Sequence, residues 1–260
     1  MRRILVAGNW KLNGSLKMTA ELISGVTEGL NGLGENILGF DVLVCPPSPY
    51  LSAAQASIKS TPIQLGAQNV SDQIEGAFTG EVALPMLAEF GCNYVLLGHS
   101  ERRELFAESD AQVASKFEAC IKSDTQIIPV LCIGETLEQR QSGATESVIT
   151  SQIDAVLDAS GVAGFAKAVI AYEPVWAIGT GETASPEQAQ QVHNFIRNKL
   201  ADLDAEIANK VQILYGGSMK PSNAEELLAQ PDIDSGLIGG AALKVESFVG
   251  ICQAANKLTN

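Results

Sequence analysis

The chain has 260 residues, 46% of them hydrophobic, which is enough to bury a large core in one barrel-sized domain or in two small ones. Seventeen Lys and Arg against 30 Asp and Glu leave a net charge of −13; that field repels nucleic acid, acidic membranes and anionic metabolites, so an anionic ligand needs a locally positive pocket. Cys45, Cys92, Cys120, Cys132 and Cys252 are scattered without a C-x-x-C pair, and the apolar run 4–7 after Met1-Arg2-Arg3 is too short for a signal peptide or a membrane span, so the expectation is reduced thiols and a cytoplasmic location.

Short apolar runs recur in chain order at 4–7, 42–45, 63–67, 94–97, 127–133, 168–172, 211–215 and 236–238. Each is too brief for a helix and lacks polar alternation, as expected of strands buried on both faces of a parallel sheet. Between them lie stretches with helical spacing, such as Leu22, Ile23, Val26 and Leu30, or Ile149, Ile153, Val156 and Leu157. Ser185-Pro186-Glu187 and Pro221-Ser222-Asn223 read as helix starts. The stretch 76–85 reads as a long loop leading into a short helix, a length that is often functional. Eight such alternations in about 250 residues fit a single-domain α/β fold, a (β/α)8 barrel over 1–260, with a doubly wound open sheet as the rival architecture. No low-complexity stretch or Pro-rich linker marks a second domain.

In either architecture ligands bind beyond the carboxyl ends of the strands. The residues there are Asn9 and Lys11, His99 and Ser100, Glu173, Ser218, and Gly239 with Gly240. His99 precedes what reads as the first turn of a helix, whose positive end lowers a ring pKa and favours neutral imidazole, a donor for a carbonyl oxygen; the plain alternative is a histidine satisfied by local backbone. Glu173, between Tyr172 and Pro174 and near Trp176, is placed to be partly desolvated and raised toward a general-base pKa; the alternative is a solvated loop glutamate. Lys11 and Asn9 can stabilise a phosphate or a developing oxyanion, though most such residues are surface groups. Gly216-Gly217-Ser218 and Gly239-Gly240 place small residues between a strand and a helix, where backbone groups converge on phosphate or the turn is simply tight.

Gly179-Thr180-Gly181-Glu182-Thr183-Ala184, with Asp202 downstream, imitates a dinucleotide fingerprint. The fingerprint must join a strand directly to a helix, and here six residues intervene, so these glycines read as a hinge. The loop 174–181, apolar at its centre and bracketed by proline and glycine, reads as a lid that excludes water.

Gly8-Asn9-Trp10-Lys11-Leu12-Asn13, Gly98-His99-Ser100-Glu101-Arg102-Arg103, the run from Ala171-Tyr172-Glu173-Pro174 to Gly181, Tyr215-Gly216-Gly217-Ser218 and Gly239-Gly240-Ala241 together resemble the triose-phosphate isomerases in order and spacing across the whole chain. The resemblance implies interconversion of dihydroxyacetone phosphate and glyceraldehyde 3-phosphate through an enediolate, in glycolysis and gluconeogenesis, with no metal or redox cofactor. It implies Glu173 as base, His99 as electrophile and proton shuttle, Lys11 and Asn9 as enediolate stabilisers, and Glu101 as support for Lys11 or the histidine region. Gly179, Ser218, Gly239 and Gly240 would hold the phosphate. It further implies a homodimer in which the loop 76–81 of one subunit reaches the Asn9 and Lys11 region of the other. Two positions depart from the family pattern: Ala242 stands where serine is usual, and Glu182 adds a negative charge at the edge of the lid.

Overall fold

The computed structural model describes residues 2–34, 39–178 and 183–259. Its eight strands are β1 (Ile4–Asn9), β2 (Phe40–Cys45), β3 (Ile63–Ala67), β4 (Cys92–Leu97), β5 (Ile128–Ile133), β6 (Val169–Tyr172), β7 (Gln212–Tyr215) and β8 (Ser235–Ile238). They pair in sequence order, and β8 returns to β1 through Ala7 opposite Leu237 and Gly8 opposite Ile238, so the parallel sheet closes into a barrel. The open-sheet rival is excluded.

Helices connect successive strands: α1 (Leu16–Asn31), α2 (Leu51–Ile58), α3 (Leu84–Glu89), α4 (Ser100–Leu105), α5 (Asp110–Lys122), α6 (Leu137–Gln141), α7 (Thr145–Ser160), α8 (Pro186–Ala201), α9 (Ala205–Lys210), α10 (Pro221–Leu228) and α11 (Val245–Thr259). Among the described residues none is long and apolar enough to cross a membrane. The α1 stripe Leu22, Ile23, Val26 and Leu30 is buried as its spacing requires, and Ser15 caps the helix by accepting from the Met18 N–H. Ser185 and Gln188 form a capping box that starts α8 at Pro186.

The absence of polar alternation in the strands has a geometric reason. Leu5, Ala7, Leu43, Cys45, Leu96, Val130, Cys132, Val169, Ala171, Leu214 and Leu237 fill the barrel interior. The residues between them, such as Ile4, Val6, Val42, Val44, Val95, Leu97, Ile170 and Tyr172, pack under the helices. Both faces of each strand are therefore apolar cores, and each fully buried large side chain contributes about 1.5–3 kcal/mol relative to exposure. Inside, the Cys45 sulfur lies 2.7 Å from where a Cβ on Gly66 would stand, so that glycine is set by packing. All five cysteines are free and buried.

Boundaries shift by one or two residues from the sequence expectation. β1 runs on through Gly8 and Asn9, because they pair with Val44 and Cys45 of β2. Ala168 and Val211, expected to open β6 and β7, instead terminate the preceding 3-10 turn and α9.

At the amino-terminal mouth of the barrel, polar side chains tie the last strands together. Asp234 accepts from the Ile213 N–H at 2.8 Å and from Arg197 at 2.8 Å, and is also bonded by Arg2 at 2.5 Å. Arg197, buried on α8, further donates to Asp232 at 2.6 Å and to the carbonyls of Ala208 and Val211. Removing one member of a buried, paired cluster strands the remaining charges, at a cost of about 3–5 kcal/mol. Arg197→Met is therefore expected to lower unfolding free energy by about that amount in denaturant titrations, while turnover well below the unfolding midpoint stays near wild type because the cluster lies at the end of the barrel opposite the site described next. A loss below about 1 kcal/mol would contradict this account.

Candidate active site

Asn9 ends β1, and Lys11 follows two residues later with φ 52°, a left-handed conformation that a lysine adopts only under constraint. Two side chains supply it. Asn9 Oδ1 accepts from the Lys11 N–H at 3.0 Å, and Gln68 Nε2, just past the end of β3, donates to the carbonyls of Lys11 at 2.8 Å and Cys45 at 2.9 Å. The turn directs the ammonium over the barrel mouth, where Nζ meets Glu101 Oε1 at 2.7 Å.

His99 leaves β4 through Gly98, whose φ of +69° suits glycine, and serves as the N-cap of α4. Its Nδ1 accepts from the Glu101 backbone N–H at 3.2 Å. That bond fixes the tautomer, since a nitrogen that accepts carries no proton; the ring proton is on Nε2, 2.9 Å from Glu173 Oε1. The Glu101 carboxylate lies 3.6 Å from Nδ1 with no proton between them, so Glu101 holds the ring through its backbone N–H and meets Lys11 through its carboxylate.

Glu173 follows the last residue of β6 and is 2% exposed, so it is no solvated loop glutamate. Besides the imidazole it accepts from the Ser100 N–H at 2.9 Å and the Ser100 hydroxyl at 3.4 Å. Here the expected raised pKa is corrected. Burial pushes the carboxyl up, but the charge and hydrogen bond of His99, the Ser100 N–H and Lys11 together hold it below the usual carboxylate range. The histidine shows the converse: burial lowers its pKa, yet the adjacent Glu173 carboxylate raises it past the ordinary value, against the lowering expected from the helix end. In this arrangement the Nε2–H and the Ser100 N–H hold the carboxylate, which gains basicity only by leaving these donors.

The strand ends of β5 and β7 hold Glu173 from either side. A Cβ on Gly134 would overlap the Glu173 carbonyl oxygen, and one on Gly216 would stand 2.7 Å from Glu173 Cγ. Gly216 is thus required by contact with Glu173. A Cβ on Gly217 would overlap the Tyr215 hydroxyl, whereas one on Gly240 would meet nothing within 4 Å.

Asn9, Lys11, His99, Glu173, Ser218, Gly239 and Gly240 line one cavity of about 360 Å3, joined by Gly216, Gly217, Leu237, Ile178 and a second cation, Lys220. Of the sequence-predicted site residues, Glu101 adjoins the cavity through Lys11 and His99, while Gly179 lies outside the described residues, as do Thr180, Gly181 and Glu182. The described part of the proposed lid is a 3-10 turn, Val175–Ala177, with Trp176 Nε1 donating to buried Glu135 at 3.0 Å. Ala242 is 2% exposed, with its methyl facing Gly8 under the 240–243 turn and away from the cavity lining. Sequence reading passed over Gln68 and Gly134, although both immediately follow a strand and the carboxyl-end rule reaches them.

A carboxylate, an imidazole N–H and an ammonium converge on a glycine-walled cavity at the carboxyl ends of a closed parallel barrel. That arrangement belongs to barrel enzymes that move protons on small anionic substrates. Comparison with known proteins is more specific. The family model described as triosephosphate isomerase matches residues 4–255. The triosephosphate isomerase of Thiobacillus denitrificans is 55% identical over 99% of this chain and 100% of its own length. That of Dechloromonas aromatica is 56% identical over 98% and 100%, and that of Alcanivorax borkumensis 54% over 98% and 99%. The chain belongs to the triosephosphate isomerase family.

The sequence holds two histidines, so both ring titrations are readable by NMR. His193, pushed down to about 4 chiefly by burial, is an internal reference that stays neutral across the physiological range. In Glu173→Gln the main raising influence on His99 is gone, while burial and Lys11, both lowering, remain beside the weaker raising effect of Glu101. The His99 pKa is expected to fall relative to wild type. An unchanged value would mean that the carboxylate is not what holds the ring.

Proposed function

We propose that Glu173 is the base with which this chain carries out the reaction of its family, the interconversion of dihydroxyacetone phosphate and D-glyceraldehyde 3-phosphate. The observation that carries the assignment is the buried Glu173 carboxylate held 2.9 Å from the His99 Nε2–H over the lysine-bearing cavity. Moved from Ser100 and His99 onto a bound substrate, the carboxylate loses the hydrogen bonds that depress its pKa and becomes able to take the proton from the carbon beside the carbonyl. The same movement frees the Nε2–H to donate to the substrate oxygen, so one step arms both groups. With Nδ1 already accepting a backbone N–H, His99 acts as a neutral donor and can pass protons between the two oxygens.

Lys11 and Asn9 stabilise the enediolate oxygens from the β1 side, and Glu101 keeps Lys11 in place. Ser218, Gly239 and Gly240 receive the phosphate; at Gly240 the absence of a side chain leaves room beside the backbone. Closure of the lid 174–181 would keep water from an enediolate that can otherwise expel its phosphate. The reading needs no metal or redox cofactor. Purified protein without added metal or nucleotide is expected to interconvert the two triose phosphates, with kcat reduced by roughly 10²–10⁴-fold in Glu173→Gln. Wild-type turnover with an unimpaired variant would remove Glu173 from the role of base.

We propose also that the working form is a homodimer. The loop 76–81 is exposed, Phe78 at 48%, and Leu12 at 96%, Leu105 at 70% and Phe106 at 68% are exposed around the recess that Gly80 and Glu81 of the loop also line. Leu12, Leu105 and Phe106 line a cavity of about 830 Å3 that reaches Asn9 and Lys11. A loop with an exposed aromatic side chain beside a recess that carries Leu12, Leu105 and Phe106 among polar groups is the form a self-complementary two-fold interface takes. A charge on the loop tip, in Phe78→Asp, is expected to shift the protein from dimer to monomer in analytical ultracentrifugation at micromolar concentration and to lower activity with it. A wild-type monomer with full turnover would rule the interface out.

A further inference from the structure

The backbone of Glu173 and Val175 is held to the neighbouring strand end by the two carbonyls that flank one glycine. Glu173 N–H donates to the Ile133 carbonyl at 2.7 Å, and Val175 N–H donates to the Glu135 carbonyl at 3.1 Å. Gly134 lies between these two acceptors, so close to Glu173 that a Cβ there would overlap the Glu173 carbonyl oxygen. Beyond the strand end no ladder among the described residues holds the Gly134 N–H and carbonyl. One side chain takes both: Gln152 Oε1 accepts from the Gly134 N–H at 2.8 Å, and Gln152 Nε2 donates to the Gly134 carbonyl at 3.1 Å. Gln152 is 9% exposed and sits on the inward stripe of α7 with Ile149, Ile153 and Val156.

We propose that Gln152 is a positioning residue for the reaction: through its two hydrogen bonds to Gly134 it sets where the backbone of Glu173 rests, and with it the carboxylate. An amide is suited to this because it offers one donor and one acceptor side by side, matching the N–H and C=O of a single residue. The clamp extends to the root of the lid. Glu135, next in sequence, receives the Tyr172 hydroxyl at 3.1 Å, Trp176 Nε1 at 3.0 Å and Arg140 at 3.2 Å. Arg140 also stacks over the Trp176 ring at 4.7 Å. Displacing Gly134 moves Ile133 and Glu135 together, and these are the two residues whose carbonyls hold Glu173 and Val175.

The inference rests on Glu173 being the base. The test compares wild type, Gln152→Met, which keeps the size and removes both bonds, and Gln152→Glu, which keeps an acceptor for the Gly134 N–H but loses the donor to its carbonyl. Circular dichroism establishes folding, and kcat and KM for glyceraldehyde 3-phosphate are measured separately. Because a misplacement of about 1 Å costs up to about 10²-fold in rate, kcat is expected to fall by roughly ten- to a hundredfold in Gln152→Met and at least as far in Gln152→Glu, whose second carboxylate oxygen would face the Gly134 carbonyl. KM should stay within about twofold, since the phosphate-side residues do not touch the clamp. Should Gln152→Met not fold, Gln152→Glu carries the comparison. A folded variant with wild-type kcat, a change confined to KM, or failure of both variants to fold would each overturn the proposal and leave Gln152 a structural residue. An inactive wild type would instead refute the assignment of function.

Discussion

The ends of β5 and β7 each lie within van der Waals contact of Glu173 at the end of β6, and the geometry of the candidate site depends on that contact. Gly134 and Gly216 have no Cβ where Glu173 passes between them, so the glutamate backbone is gripped on both sides while its side chain turns toward His99. Close packing at the carboxyl end of a barrel normally fills the space with side chains. Here one missing side chain on each flank makes a slot for a third residue. Precision in the position of the carboxylate is thus a property of the barrel frame, and the frame is rigid because both faces of its strands are dry apolar cores.

The electrostatics follow from burial. A carboxylate with 2% exposure is costly unless its oxygens are bonded, and the structure satisfies them with an imidazole N–H and the Ser100 N–H. The same partners that stabilise the ionised group also weaken it as a base. With Glu173 as the proposed base, the strongly held carboxylate and the effective one would be different positions of the same side chain, with substrate binding the source of the energy that moves it. His99 is tuned by the second half of this exchange: the Glu101 N–H on Nδ1 commits the proton to Nε2, whichever partner Nε2 then faces.

The architecture was legible in the sequence because its signal is redundant. Eight apolar runs, each marking a strand, and regularly spaced stripes such as Leu22, Ile23, Val26 and Leu30 all point to one alternation, and an error of a residue at Ala168 or Val211 changes nothing. His99, Glu173, Lys11 and Asn9 were legible for a positional reason, since each stands just past a strand where ligands bind. What the sequence withheld was pairwise. The depressed pKa of Glu173 depends on Ser100 and His99, which lie more than 70 residues away in the chain and meet it only after the barrel closes. Gln152 is one polar residue among apolar neighbours on α7, and both ends of its amide find their use only where the fold brings α7 against Gly134.

The net charge of −13 makes the site's own cation the remaining question of balance. Lys11 is bonded to Glu101 at 2.7 Å, so much of its charge is already offset before any anion arrives. The ion pair does not cancel its use. Glu101 is 43% exposed on its side chain and keeps contact with water, while Lys11 at 24% lies closer to the cavity, so solvent screens the acid more than the base. An anion in the cavity therefore meets an ammonium held in place by a carboxylate whose own repulsion is weakened by solvent. The strained turn at Lys11, stabilised by Asn9 and Gln68, keeps that geometry without relying on the salt bridge alone. With Lys220 as a second cation in the cavity lining, local attraction is in this way built against an unfavourable global field.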